Sequence, residues 1–243
     1  MAKKRLDACI QELYPHYSKT QIQSWIMQGK VTVDGQIITK AGTAVAEEAR
    51  CILTAEEPKY VSRAGFKLEK ALAHFAIDVT GLVALDAGLS TGGFTDCLLQ
   101  NGIARVYGVD VGYGQVHEKI RTNPRVIVME RTNLRNVEAL PEKVDIVTLD
   151  LSFISTLKVM PAVMQVMQPY AKLVVLIKPQ FEAEREDVGK GGIIKDPVVH
   201  QRVIEKVTHG IIALGFECKG ITESPITGIT GNKEFLGYFT RNG

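Results

Sequence analysis

Residues 83–97 read VALDAGLSTGGFTDC. An apolar run closes on Asp86, a loop carrying Gly88, Gly92 and Gly93 follows, and Phe94 opens a helical pattern. A glycine-rich turn between a strand and a helix brings main chain close to a ligand. Two phosphate-binding readings fail on spacing. A dinucleotide fingerprint needs G-x-G-x-x-G, and a phosphate loop of the G-x-x-x-x-G-K-[ST] type needs Lys where Phe94 stands. What remains is Asp-x-Gly-x-x-x-Gly-Gly, with a second acid, Asp110, 24 residues after Asp86 at the end of the next apolar run, VYGVD.

Outward from this loop, apolar runs alternate with helical stretches. LVALD is followed by FTDCLLQNG, VYGVD by GQVHEKI, and VIVME by VDIVTLD and STLKVMPAVMQVM; LVVLIK, PVVHQRVIEKVTHGIIALG, FECKGITES and FLGYFTR complete the series. Continuous Val/Ile/Leu strands between helices predict an α/β body with a parallel sheet covered on both faces. Ligands of such sheets sit beyond the carboxyl ends of the strands, where Asp86, Asp110, Asp150 and Lys178 all fall. Ahead of the first strand, SRAGFKLEKALAHF reads as a helix with Leu68, Leu72 and Phe75 on one face. The front of the chain is different. RLDACIQEL and SKTQIQSWIMQG read as short helices, the second capped by Ser18 and stopped by Gly29, with Trp25 in the core. VTVDGQIIT is a hairpin around Asp34-Gly35, ARCILT a further strand, and EEPKY, with Pro58, a linker. The expected organisation is a small α+β module over 1–57, a linker over 58–64 and the α/β body over 65–243.

A chain of 243 residues, 45% hydrophobic and 23% charged, has the composition of a soluble globular protein. MAKKRLDACIQEL is not a secretory leader, and no run approaches the roughly 18 apolar residues of a membrane span. Cys9, Cys51, Cys97 and Cys218 are scattered, which suits free thiols in a reducing cytoplasm and neither a disulfide framework nor a metal site. The net charge is +2, yet residues 1–45 carry six Lys/Arg against three acids. Lys3, Lys4, Arg5, Lys19 and Lys30, read onto the two short helices and the turn after them, make either a solvated face or a surface for a polyanion. Such a module would grip the shape and phosphates of folded RNA, favouring ribosomal RNA or assembled ribosomal subunits over short single strands.

An acid placed like Asp110 suits ribose hydroxyls, and an unphosphorylated nucleoside needs no basic cradle. S-adenosylmethionine has that character. Asp86, Gly88, Ser90, Gly92 and Gly93 are the candidates for its amino-acid end and Asp110 for its ribose. Thr132 and Asn133 stand either at the adenine edge or in an ordinary loop, and the alternative for the whole motif is a tight turn without a ligand. Asp150 and Lys178 each end an apolar strand, where a charge without a task is costly, and opposite charges on neighbouring strand ends can pair. Lys67, beside Leu68, lies at the edge of its helix's buried face, and Glu234 directly precedes FLGYF. Glu182 and Glu184 read as solvated loop charges. DVGKGGIIKD reads as a mobile loop that closes on RNA phosphates or is plain surface.

DAGLSTGGFTD, with YVSRAGFKL, GVDVGYGQ, ERTNLR, LDLSFIS, IKPQFE, VGKGGIIKD and GNKEFL, resembles the TlyA family in motif order and over nearly the whole chain. Members of that family are FtsJ-like RNA 2′-O-ribose methyltransferases, often labelled hemolysin A. The resemblance implies a Rossmann-like class I methyltransferase fold, a seven-stranded sheet with its last strand antiparallel. It also implies an N-terminal αL (S-four-type) RNA-binding module. A Lys-Asp-Lys-Glu tetrad would fall on Lys67, Asp150, Lys178 and Glu234, with Lys178 and Asp150 activating the 2′-hydroxyl and the other two assisting. The implied target is a cytidine of small-subunit RNA, large-subunit RNA or both. Leu89 stands where the family carries Ala or Ser, and a bulkier side chain there is expected to alter cofactor affinity.

Other classes fit less well. A pore-forming hemolysin needs membrane-competent sequence, which is absent. A base methyltransferase usually brings a cysteine nucleophile or an N-P-P-Y-like clamp, whereas the fourth strand here ends in LDLSF. A small-molecule enzyme leaves the basic module without a use. An RNA-binding protein that keeps the fold without activity is opposed by the intact tetrad and favoured by Leu89.

Overall fold

The chain divides between Pro58 and Lys59 into two units, and the computed structural model describes residues 3–55, 58–228 and 230–242. The first unit runs β1 (Lys3–Arg5), α1 (Leu6–Leu13), α2 (Lys19–Met27), β2 (Val31–Val33), β3 (Gln36–Ile37), β4 (Ala44–Ala46) and β5 (Cys51–Leu53). β1 pairs antiparallel with β4, and β2 lies between β3 and β5. Ser18 and Gln21 form a capping box at the start of α2. The β2–β3 turn uses left-handed φ angles at Asp34 (49°) and Gly35 (83°), as the Asp-Gly pair predicts. Leu6, Ile10, Ile22, Ile26, Val31 and Val45 form the core, and Trp25 is buried edge-on against Tyr17.

Lys3, Lys4 and Arg5 are not helical. They are a strand paired residue by residue with Ala46, Val45 and Ala44, and the helix begins only at Leu6, the first core residue. Sheet pairing and burial of Leu6 override the helical pattern there. Lys4 meets Glu12 and Glu47, and Arg5 clasps buried Asp7. Lys3, Lys19 and Lys30 are exposed, with no carboxylate partner among the described residues.

Residues 59–64 are not a free linker. Tyr60 is buried in the second unit's core and the Val61 N–H donates to Asp96, because an aromatic side chain there gains more from burial than from solvent. Glu56 and Glu57 of the expected linker lie outside the described residues.

The second unit contains α3 (Ala64–His74), β6 (Val83–Ala87), α4 (Gly93–Gln100), β7 (Arg105–Val109), α5 (Glu118–Arg121), β8 (Val126–Met129), β9 (Val144–Leu149), α6 (Met160–Val166), β10 (Met167–Ile177), α7 (Pro179–Glu182), α8 (Pro197–Ile212), β11 (Phe216–Glu223) and β12 (Phe235–Arg241). Its seven strands run in the order β11-β12-β10-β9-β6-β7-β8, with β12 antiparallel to both neighbours and the pairs from β10 to β8 parallel. Strand alternation feeds two core layers. Leu85, Val147 and Val175 join Val203, Val207 and Ile211 of α8; Ala84, Ile146 and Val174 join Leu68 and Leu72 of α3 and Leu98 of α4. Strand order reverses at β6, with β7 on one side and β9 on the other. The carboxyl ends of β6 and β9 therefore flank the crevice of the switch point. Among the described residues, no helix is long and apolar enough to cross a membrane.

Candidate active site

The loop after β6, Asp150 after β9, Lys178 after β10, Lys67 on α3 and Glu234 before β12 line one cleft of about 580 Å³. The Lys178 Nζ lies 2.6 Å from Asp150 Oδ1 and donates to Ser152 Oγ at 3.1 Å. The Lys67 Nζ lies 2.5 Å from Glu234 Oε2. Lys67, Lys178 and Glu234 are buried and Asp150 nearly so. Because desolvation offsets most of the attraction, a buried ion pair is a poor stabiliser, and two of them in one crevice point to chemistry.

The glycine loop is built by close approach. Gly88 has φ 89°, and a Cβ on it would lie 2.2 Å from the Asp150 carbonyl oxygen, so only glycine lets the β6 and β9 loops touch. Leu89 is turned into the core, 2% exposed. It rests on Gly108, where a Cβ would come within 2.7 Å of Leu89 Cδ2. Its bulk is thus taken up inside the sheet layer. The Ser90 and Gly112 N–H groups donate to the two oxygens of Asp110, both at 2.7 Å, which draws together the loops after β6 and β7. The sequence reading missed Ser62. Its hydroxyl is buried with no hydrogen-bond partner among the described residues and lies over Gly93, 2.3 Å from where a Cβ would stand. Its place in SRAGFKL, beside the Lys67 helix, was the available signal.

Several expected residues have other surroundings than the cleft. Asp86 does not line the cleft: it is wholly buried and accepts from the hydroxyls of Thr95 (2.6 Å) and Thr148 (2.9 Å). Burial pushes its carboxyl up to about 6, against the pull of those two hydrogen bonds. Gly92, Asp110, Thr132 and Asn133 lie outside the cleft lining. Thr132 donates its hydroxyl to the Glu130 carbonyl, and Asn133 caps the short turn Leu134–Asn136 through the Arg135 N–H. Glu182 is not solvated; it is buried, because its carboxylate binds the Thr156 N–H. Glu184 is exposed. The DVGKGGIIKD loop is pinned by buried Asn232, which donates to the Gly192 carbonyl at 2.8 Å and accepts from the Ile194 N–H at 2.9 Å. At the cleft wall, Phe153 is 90% exposed at φ 64°, its ring 5.0 Å from that of Phe181. A bulky residue held in left-handed conformation and in water is strained twice over, as at ligand clamps, and its free face suits stacking on a base.

Residues 60–241 match the FtsJ-like methyltransferase family and residues 4–51 the S4 domain. The chain is 44% identical over 222 residues to the 16S/23S rRNA (cytidine-2′-O)-methyltransferase TlyA of Mycobacterium tuberculosis, covering 90% of this chain and 83% of the relative. It is 40% identical over 238 residues to Hemolysin A of Brachyspira hyodysenteriae, covering 97% and 99%. A solved structure from Streptococcus thermophilus, labelled a hemolysin, superposes with a TM-score of 0.76 at 38% identity, over 100% of this chain and 90% of its own.

Proposed function

The chain belongs to the FtsJ-like methyltransferase family, and we propose that it moves a methyl group from S-adenosylmethionine to the 2′-hydroxyl of a cytidine in ribosomal RNA. The reaction and substrate are those for which the M. tuberculosis relative is named. The observation that carries the reading is the pairing of Lys178 with Asp150 and of Lys67 with Glu234 in the cleft beside the glycine loop.

The residues fit the cofactor. The Ser62 hydroxyl, which has no partner among the described residues, and the main chain of Gly88, Ser90 and Gly93 would receive its amino-acid end, while Asp110, just outside the cleft lining, holds the Ser90 N–H and would reach the ribose hydroxyls from the loop after β7. When bound, it supplies a methyl group on a sulfonium centre. Lys178 has three N–H donors. Asp150 and Ser152 take two, which leaves one for the 2′-oxygen. Lys178, aimed by Asp150, polarises the hydroxyl and stabilises the charge that gathers on oxygen as the hydroxyl proton passes to solvent. Lys67 and Glu234 position that pair and the ribose, and Phe153 stacks on the target base. The S4 unit grips RNA phosphates through Lys3, Lys19 and Lys30, with Lys4 and Arg5 partly engaged by carboxylates.

The test is transfer of labelled methyl to unmethylated small and large ribosomal subunits, with products mapped for alkali-resistant linkages, which mark a blocked 2′-oxygen. Lys178→Ala should lower the rate on the order of 10²- to 10⁴-fold while the cofactor still binds. Cofactor binding by the wild type with no label in either subunit would overturn the substrate; label surviving in Lys178→Ala would overturn the role of the lysine.

A further inference from the structure

Behind the Lys178–Asp150 pair stands a buried carboxylate that the transfer reaction leaves without a task. Glu182, 3% exposed, ends the single turn α7 that starts directly after Lys178. That turn is tightly tied. The Phe181 N–H donates to the Lys178 carbonyl at 2.9 Å, the Ala183 N–H to the Pro179 carbonyl at 2.9 Å, and Lys206 of α8 donates to the Glu182 carbonyl at 2.8 Å. Across from it runs the loop 150–156. Its near end is held by the Asp150 N–H, which donates to the Ala87 carbonyl at 3.0 Å. Its far end is held by Glu182, whose Oε1 accepts the buried Thr156 N–H at 2.6 Å. Asp150 is the near end itself, and between it and Thr156 lie Ser152 and the left-handed Phe153.

The carboxylate is expensive where it is. Its Oε2 is buried with no partner among the described residues, and a buried carboxyl with an empty acceptor opposes folding. Strained or unsatisfied groups persist where the surrounding structure over-determines them for a purpose. We propose that Glu182 is a positioning residue: it clamps the loop that begins at Asp150 to the turn that begins at Lys178. It thereby fixes the separation of the two charges that meet the ribose hydroxyl. It touches no substrate and acts through Asp150, Ser152 and Phe153. The proposal rests on the cleft being the transfer site.

Three variants test it in the full chain. Glu182→Ala removes the acceptor, Glu182→Gln keeps one for the Thr156 N–H, and Glu184→Ala removes a solvent-facing carboxylate from the next turn as the control. Glu182→Ala is expected to lower kcat on the order of 10- to 100-fold, with KM for cofactor and for ribosomal subunits within about twofold. Amide exchange over 151–156 should quicken in the same variant. Glu182→Gln should restore kcat to within about threefold, since a neutral acceptor makes the same bond. Glu184→Ala should match the wild type. A folded Glu182→Ala with wild-type kcat, a Glu182→Gln as slow as Glu182→Ala, or unchanged exchange at 151–156 would each overturn the clamp. Should Glu182→Ala fail to fold, Glu182→Asp replaces it: its carboxylate is one methylene short of Thr156, and it must be slow while Glu182→Gln is fast. A wild type that methylates neither subunit defeats the functional reading, and the exchange measurement still decides the clamp.

Discussion

Single residues carry the sharpest tension between stability and use. Phe153 gives up burial and adopts a left-handed backbone in order to face the cleft. Asparagine tolerates that conformation far better, so Phe153→Asn should melt no lower than wild type and gain up to about 1 kcal/mol. If the ring stacks on a base, methyl transfer to RNA should fall about tenfold in the same variant. Unchanged transfer kinetics would show that the ring is idle. Asp150 and Lys178 were legible from sequence because a Lys or Asp that ends an apolar strand stands out against its neighbours, whereas Lys67 and Glu234 were marked by the family resemblance. The burial of Asp86 was not legible, for a related reason. An acid at a strand end looks alike whether it faces the loop or the sheet interior, and only the register that sets it opposite Thr148 decides. Glu182 and Ser62 were hidden differently: each is a polar residue whose burial is imposed by a partner element distant in sequence.

At the level of elements, strand and helix alternation was readable through the whole second unit, since buried parallel strands leave runs that little else produces. Boundaries were less so. β10 reaches back to Met167 through Pro169 and the left-handed Tyr170, with a register shift against β9. The helix read into STLKVMPAVMQVM consequently ends at Val166. The pairing of β6 with β9 also has a titration consequence. Asp86, raised to about 6 by burial, binds its proton more tightly folded than unfolded, where a carboxyl titrates near about 4. Stability should therefore rise as pH falls from about 6 to about 4, and decline as pH rises through that window. Asparagine at 86 keeps one acceptor and offers its amide to the other threonine oxygen, without the titration. Urea unfolding at pH 7 should find Asp86→Asn the more stable, with the difference shrinking by pH 4.5. A gap independent of pH would mean that Asp86 carries its charge at no cost.

Across the molecule, each unit closes its own core, Leu6 to Val45 in the first and Tyr60 to Phe239 in the second. A chain beginning at Lys59 should therefore keep cofactor affinity within about twofold and lose affinity for ribosomal subunits by tenfold or more, with a weaker salt dependence, as a shed set of phosphate contacts requires. Calorimetry with the cofactor and filter binding with subunits at two salt concentrations would measure both, and undiminished subunit affinity would remove RNA grip from the S4 unit. The division into two units was readable because composition and charge change together near Pro58. The burial of Tyr60 was not, since nothing local tells a linker from a strap. The packing of the second unit also carries a history. While Leu89 lies on Gly108, any side chain at position 108 must push the end of the Leu89 side chain aside, whereas position 89 is free to shrink. Along a lineage from this sequence, a change at 108 is easier after 89 has shrunk than before, so the contact between the two positions biases the order in which the sites change.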